Sequence, residues 1–129
     1  MAGRKKVLLV EDDEFTRFMM KEIIGTLGVD VEIACNGSEG YATLHNDPAS
    51  FGLVLMDLHM PEMSGIDATR AIRQAKQNPP RSVPIVAMTA DVNYHDTSRV
   101  EQLGMDGFAS KPVSPGQLLD LIDRYCAPA

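Results

Sequence analysis

The stretch Val7-Leu-Leu-Val-Glu-Asp-Asp13 joins a short, fully apolar run to three consecutive acids. A run of this kind is typical of a strand that is buried on both faces of a sheet. Two further apolar runs follow at residues 51–56 and 83–88, and the first of them also ends in an acid, Asp57. Strands of this type occur mainly in parallel sheets that helices cover on both sides.

The segments between these runs carry helical patterns. Five apolar residues recur at helical spacing before a predicted stop at Gly28; they are Phe15, Phe18, Met19, Ile23 and Leu27. Further helices are predicted over 36–44, from Ser64, over 91–103 and from the capping pattern Ser114-Pro-Gly-Gln117, and short strands over 29–33 and 105–109. About five strand–helix units predict an α/β fold with a doubly wound parallel sheet.

Length and composition indicate one ordinary globular domain. The chain has 129 residues, a net charge of −6 and a hydrophobic share of 44%. We expect a single domain over 1–129, with a core of about 5–126. The acidic balance argues against a nucleic-acid partner, and the longest apolar runs are too short for membrane insertion. The two cysteines predict free thiols and a cytoplasmic location.

Three acids follow buried runs directly. Ligands of doubly wound sheets bind outside the carboxyl ends of the strands. Glu11 and Asp12 end the first run and Asp57 ends the third strand, so neighbouring strands would bring the three carboxylates together. Their mutual repulsion predicts a hard divalent cation, and oxygen ligands suit Mg²⁺.

Three other polar or restricted positions follow the later strands. Lys111 comes after the fifth strand and can reach towards Asp57, and Thr89 ends the fourth strand. Pro112 restricts Lys111 to an extended conformation and is a candidate for a cis peptide bond.

Four motifs together resemble the receiver domain of two-component response regulators. They are Val-Glu-Asp-Asp at 10–13, Leu-Met-Asp-Leu-His-Met-Pro-Glu-Met-Ser-Gly at 55–65, Met-Thr-Ala at 88–90 and Ser-Lys-Pro at 110–112. The resemblance covers nearly the whole chain. It implies a flavodoxin-like sheet with strand order 2-1-3-4-5.

The resemblance also implies a role for each residue of the site. Asp57 would accept a phosphoryl group from a phosphohistidine, in chemistry that the domain assists without being an enzyme. The implied ligands of Mg²⁺, for which Mn²⁺ could substitute, are Asp12, Asp57, Glu11 through water and the backbone carbonyl of His59. Lys111 would pair with the phosphoryl oxygens, and Thr89 and Phe108 would form the switch.

Several assignments stay open at this stage. A slip of one residue would make Asp12 and Asp13 the metal pair instead of Glu11 and Asp12. Because phenylalanine lacks a phenol hydroxyl, a switch at Phe108 would depend on ring packing alone. The side chains of His59 and Asp91 would shape the access of water to the acyl phosphate, whereas His45 and His95 are expected to be solvated; the predicted 91–103 helix fits a face that changes partners.

The implied partners are a sensor histidine kinase, a histidine-containing phosphotransfer protein, or both. The motifs at 55–65 and 88–92 resemble receivers of hybrid sensor kinases, and the chain would be a monomer or a weak phosphorylation-dependent dimer. Three alternatives remain: a flavin or nucleotide binder, which lacks its glycine-rich loop here; a magnesium-dependent aspartyl phosphatase, which lacks its second acid at His59; and a receiver-like interaction module without phosphorylation.

Overall fold

The computed structural model describes residues 4–60 and 63–126. Within them the strands are β1 (Lys6–Val10), β2 (Val31–Ala34), β3 (Phe51–Asp57), β4 (Ile85–Thr89) and β5 (Gly107–Ser110), and the helices are α1 (Glu14–Thr26), α2 (Gly37–Asn46), α3 (Gly65–Arg73), α4 (Thr97–Gln102) and α5 (Pro115–Tyr125). All strand pairs are parallel, in the order β2-β1-β3-β4-β5. The predicted fold class and strand order are confirmed.

The sheet separates two hydrophobic clusters. Leu8 and Val10 face the cluster that includes Leu44 of α2 and Ile72 of α3. Val7 and Leu9 face the other, which is completed by residues of α1 and α5 such as Ile24, Leu118 and Ile122. All seven residues of β3 are buried, which explains its continuous apolar run. Each fully buried leucine stabilises the fold by about 1.5–3 kcal/mol.

The helix starts follow the predicted caps. The side chain of Asn36 accepts a hydrogen bond from the Glu39 amide at the start of α2. Ser114 and Gln117 form a complete capping box at the start of α5. Gly28 follows α1 with a φ of 80°, a conformation that a residue with a Cβ adopts only with strain.

The segment 91–103 differs from its prediction as one helix. Residues Val92–Tyr94 form a single 3₁₀ turn, and α4 begins only at Thr97. Asp91 accepts from the Asn93 amide at 3.0 Å, and Asp96 accepts from the Ser98 amide at 2.9 Å. Two aspartates that each cap a separate start divide the segment, because a capping side chain competes with continuation of the preceding turn.

The two cysteines occupy contrasting environments. Cys35 is exposed after β2, whereas Cys126 is buried at the end of α5 beside the backbone of Lys6. Burial raises the pKa of the Cys126 thiol to about 11. Among residues 4–60 and 63–126, no helix has the length and apolar character that a membrane crossing requires.

Candidate functional site

The neighbouring positions of β1 and β3 bring three carboxylates together. Val10 pairs with Met56, so the residues that follow them, Glu11 and Asp57, lie side by side at the carboxyl edge of the sheet. One oxygen each of Glu11, Asp12 and Asp57 lies within 4.8 Å of the others. Glu11 and Asp57 are buried and Asp12 is exposed. The predicted gathering of these acids at the carboxyl edge is confirmed.

Backbone contacts hold the loops that carry these acids. Glu11 Oε2 accepts from the Asp13 amide at 3.1 Å, and the Arg17 guanidinium donates to the carbonyls of Glu11 and Asp12 at 3.2 and 2.8 Å. On β3, a Cβ at Gly65 would collide with the backbone oxygen of Asp57. Glycine at this position therefore lets α3 begin directly against the end of β3.

Lys111 reaches into the acidic cluster as predicted. Its Nζ lies 2.7 Å from Glu11 Oε1 and 3.2 Å from Asp57 Oδ1. The contact with Glu11 is an ion pair without hydrogen-bond geometry, so within the described part of the chain Glu11 Oε1 is a buried oxygen that accepts no hydrogen bond. One ammonium group thus faces two buried carboxylates and leaves an acceptor oxygen unsatisfied.

The charges of the cluster oppose the ionisation of Asp57. Burial, followed by the charge of Glu11, raises the pKa of Asp57 from 3.8 to about 7, and the positive charge of Lys111 offsets only part of this effect. For Lys111 itself, burial acts to lower the pKa, but the close contact and negative charge of Glu11 and the charge of Asp57 together raise it. The cluster therefore carries less positive charge, from Lys111 alone, than its three carboxylates would carry negative charge if all were ionised.

The residues present fit a hard divalent cation. Three carboxylates supply oxygen donors, and within the described residues Lys111 is the one cationic side chain that contacts them. Acidic sites of this composition suit Mg²⁺, which keeps several waters and needs few protein oxygens.

Asp13 has a different position from the two acids before it. Its Oδ2 accepts from the Thr16 amide at 2.8 Å and from the Thr16 hydroxyl at 2.7 Å, and these bonds lower its pKa. Asp13 is thereby the N-cap of α1. The pair that the structure brings next to Asp57 is Glu11 and Asp12, not Asp12 and Asp13.

Thr89 and Phe108 lie on the neighbouring strands β4 and β5, and both contact His95. Thr89 is buried, and its hydroxyl accepts from the Asp91 amide at 2.9 Å. The ring of Phe108 is half-buried and stacks on the imidazole of His95, with centroids 5.3 Å apart and planes 6° apart. The same imidazole has Nε2 at 3.0 Å from the Thr89 carbonyl. The expectation that His95 is solvated is wrong, because a loop without periodicity gives no signal for this tertiary contact.

The other histidine of the site is exposed. His59 Nε2 lies 3.6 Å from Asp91 Oδ2, and its ring meets Tyr94 edge-on at 5.9 Å. The amide of His59 donates to Asp57 Oδ1 at 3.3 Å. Pro112 is exposed after a cis Lys111–Pro112 bond, which confirms that candidate. The role of the His59 carbonyl stays a prediction.

An apolar groove borders the acidic cluster. It encloses about 440 Å³ between α1 and the loop after β5, and its lining includes Phe15, Met19, Lys111 and Val113. Phe15 is 70% exposed and Phe18 is 61% exposed. The predicted helix is confirmed, but the residues that predicted it do not form its buried face. The buried residues of α1 are Met20 and Ile24, and Phe15, Phe18 and Met19 are exposed.

Comparison with known proteins gives a consistent result. The family described as the response regulator receiver domain matches residues 7–123. The chain is 32% identical over 92% of its length to hybrid signal transduction histidine kinase I of Dictyostelium discoideum, and 37% identical over 93% to sensor protein GacS of Pseudomonas syringae. It spans only 7% and 13% of those relatives.

A solved structure agrees with the fold and bears on the acidic cluster. The receiver domain of a sensor histidine kinase, PA1611 of Pseudomonas aeruginosa, superposes with a TM-score of 0.82 at 30% identity, covering 96% of this chain and 98% of that one. That structure is described as holding a magnesium ion coordinated in its active-site cleft. The carboxylate cluster, the strand order and the family match together show that the chain belongs to the response regulator receiver domains of two-component phosphorelay systems.

Proposed function

We propose that Asp57 is the phosphoacceptor and that it takes a phosphoryl group from a phosphohistidine of a sensor histidine kinase or a histidine-containing phosphotransfer protein. The observation that supports this most is the buried Asp57 carboxylate, which contacts Lys111 and shares a cluster with Glu11 and Asp12. Phosphoryl transfer needs positioning and charge neutralisation more than covalent assistance, and this cluster offers both.

The transfer balances simply. A carboxylate oxygen of Asp57 forms a bond to phosphorus while the bond from phosphorus to the donor imidazole nitrogen breaks, and the imidazole leaves with that electron pair. The ammonium of Lys111, 3.2 Å from Asp57 Oδ1, is placed to pair with the phosphoryl oxygens as negative charge increases beside Glu11.

We propose that Asp12 and Asp57 hold Mg²⁺ directly, with Glu11 acting through water and the His59 backbone carbonyl as a further ligand. Bound Mg²⁺ supplies the positive charge that the cluster lacks. Mn²⁺ would substitute, because it accepts the same oxygen ligands. Its burial and its ion pair with Lys111 keep the Glu11 carboxylate from binding the cation directly.

After transfer, Thr89 and Phe108 would act as the switch. The hydroxyl of Thr89 would bond a phosphoryl oxygen, and the ring of Phe108 would repack, which would alter the face formed by α4 and β5. The exposed pair of His59 and Asp91, 3.6 Å apart, would control the approach of the water that hydrolyses the acyl phosphate.

The partner would dock on the groove beside α1. Phe15 lines the groove together with Lys111, and both Phe15 and Phe18 of α1 expose large aromatic surfaces. Exposed aromatic residues of this size commonly mark protein interaction sites. A helix that presents a phosphohistidine across this groove would bring the phosphorus to the acidic cluster.

We propose that residues 5–126 form the functional unit, since the first strand and last helix run from Lys6 to Tyr125. The relatives are much longer than this chain, which supports a role as the receiver of a hybrid kinase. Free cysteines and the kinase partners support a cytoplasmic location.

Labelling with acetyl phosphate tests the phosphoacceptor. With Mg²⁺, mass spectrometry should find one phosphoryl group on Asp57, and chelation of Mg²⁺ should abolish it. Asp57→Asn should remove the label, whereas Asp120→Asn, at an exposed position of α5, should keep it. Full labelling of Asp57→Asn would refute the assignment.

A further inference from the structure

The imidazole of His95 contacts both residues of the proposed switch. Its Nε2 lies 3.0 Å from the carbonyl oxygen of Thr89. Because a carbonyl oxygen can only accept, Nε2 carries the proton of this hydrogen bond. The flat face of the same ring covers the ring of Phe108, with an angle of 6° between the planes.

Thr89 is held by the loop that contains His95. The Thr89 hydroxyl accepts from the Asp91 amide at 2.9 Å, and its carbonyl also accepts from the Lys111 amide at 3.1 Å. A turn of the hydroxyl towards Asp57 carries its oxygen away from the Asp91 amide. An inward movement of the Thr89 backbone would lengthen the contacts of its carbonyl with His95 and Lys111. The contacts of this loop therefore favour the arrangement in which Thr89 bonds to Asp91.

The ring of His95 holds the side chain of Phe108 in its present position. The backbone of Phe108 is fixed in register opposite Ala87, so only its side chain is free to move. Phenylalanine has no hydroxyl with which to hold either of two positions. Stacked aromatic pairs add stabilisation beyond the area they bury, so the His95 ring favours the present position of Phe108.

We propose that His95 is a positioning residue that joins Thr89 to Phe108, through its hydrogen bond and its stacked ring, and restrains the movement of both that a phosphoryl group on Asp57 requires. The inference rests on the proposed function of Thr89 and Phe108. A contact that favours one of two arrangements of Thr89 and Phe108 weakens the binding of any ligand that requires the other arrangement. Removal of the imidazole therefore increases the affinity for a phosphoryl group or its mimic at Asp57.

Titration with beryllofluoride and Mg²⁺, followed by backbone NMR, measures that affinity in the purified chain. His95→Ala removes both contacts and should tighten beryllofluoride binding about fivefold or more, the factor that corresponds to the lower limits for one net hydrogen bond and one aromatic contact. His95→Gln keeps an amide donor and His95→Phe keeps a stacking ring, so each should show a smaller increase than His95→Ala.

His45 offers a matched control. Its ring stacks on Tyr41 at 4.0 Å, and its Nδ1 lies 3.0 Å from the Tyr41 carbonyl, so it has the same two kinds of contact on α2. His45→Ala should leave beryllofluoride affinity unchanged. A tighter affinity in both alanine variants would overturn the role of His95.

Affinity decides the result, and folding stability does not. Unchanged or weaker binding in His95→Ala overturns the inference even if that variant unfolds more easily, and if it fails to fold, His95→Gln and His95→Phe decide by the same criterion. Wild-type protein that neither binds beryllofluoride nor is labelled on Asp57 overturns the proposed function and this inference together. Normal wild-type binding with unaltered His95 variants overturns only the inference.

Discussion

Asp57 is buried at the end of β3, close to Glu11 and Lys111. Burial and the charge of Glu11 hold its pKa near 7 in the folded chain, against 3.8 for the ordinary group. A carboxyl group whose pKa is raised by folding destabilises the folded state once the unfolded chain has lost the proton. Between pH 3.8 and about 7, the free energy of unfolding should therefore fall as pH rises, when no divalent cation is present.

Asp57→Asn removes this penalty. In chelator at pH 8 the variant should be more stable than wild type, by about 1–4 kcal/mol, because each pKa step corresponds to about 1.4 kcal/mol. At pH 4 the difference should nearly vanish, since Asp57 is then protonated in the folded wild type. Urea unfolding at both pH values measures the effect, and Asp120→Asn should show no such dependence. A less stable Asp57→Asn at pH 8 would contradict the raised pKa.

Asp12 and Asp13 are adjacent but should have separable effects. Asp13→Ala removes the N-cap of α1 and should cost about 1 kcal/mol of stability, with Mg²⁺ affinity nearly unchanged. Asp12→Ala should lower Mg²⁺ affinity about tenfold or more without that loss of stability. Calorimetric Mg²⁺ titration and urea unfolding distinguish the two. A greater loss of Mg²⁺ affinity in Asp13→Ala would restore the slipped assignment.

At the scale of elements, helix α1 has apolar residues on its buried face and on its exposed face. Met20 and Ile24 are buried against the sheet, whereas Phe15, which lines the groove, and Phe18 are exposed to solvent. A helix that needed only to cover the sheet would gain nothing from two exposed aromatic residues. The exposed face is therefore where substitutions should affect partners and leave the fold intact.

The double substitution Phe15→Ala and Phe18→Ala tests the docking face. The donors are purified histidine phosphotransfer domains that label the wild-type chain. Phosphoryl transfer from them to the variant should be about tenfold slower or more, as expected for the loss of aromatic anchors that become buried on docking. Labelling by phosphoramidate, which needs no docking, should change less than about twofold. Leu119→Ala, at an exposed position on α5, is the matched control. An equal loss with both donors would place the effect in the cluster and not in docking.

The elements that the sequence predicts well are those with local signals. β1 and β3 are continuous apolar runs that end in acids, and Asn36 and Ser114 cap their helices through hydrogen bonds three residues away. Such features depend on neighbours in the chain. Glu11, Asp12 and Asp57 could be placed together because the carboxyl ends of adjacent parallel strands meet at one edge.

The features that the sequence does not predict depend on tertiary contacts. Apolar residues extend around more than half of the α1 surface, so their spacing alone does not distinguish the exposed Phe15 from the buried Met20. The division of 91–103 required two competing caps, and the contact of His95 with Phe108 joins a loop to a strand. Side-chain placement across elements therefore had to come from the structure.

At the scale of the whole molecule, the acidic edge and the core depend on the same strands. β1 and β3 supply buried residues to both hydrophobic clusters and carry the carboxylates at their ends. A cation bound between those ends is bound only by the folded chain. Metal binding should thus stabilise the entire domain by mass action.

Saturation with Mg²⁺ at about one hundred times its dissociation constant should add about 2.7 kcal/mol to the free energy of unfolding. For a chain of this size the melting temperature should rise by roughly 8–14 °C. Differential scanning calorimetry with Mg²⁺ and with chelator measures this, and K⁺ at equal ionic strength controls for screening. An equal rise with K⁺ would exclude a specific site.

The two thiols should react with an alkylating reagent at very different rates. Cys35 lies at the surface and should react with a maleimide as soon as reagent is added, whereas Cys126 is buried and protonated, since its pKa is about 11. Alkylation of Cys126 then occurs only during rare openings of the domain, and Cys35 in the same molecule calibrates the reagent. Mass spectrometry can follow the fractions of singly and doubly alkylated protein over time. These fractions would give the opening frequency of the domain for each ligand, variant or pH, without any engineered label.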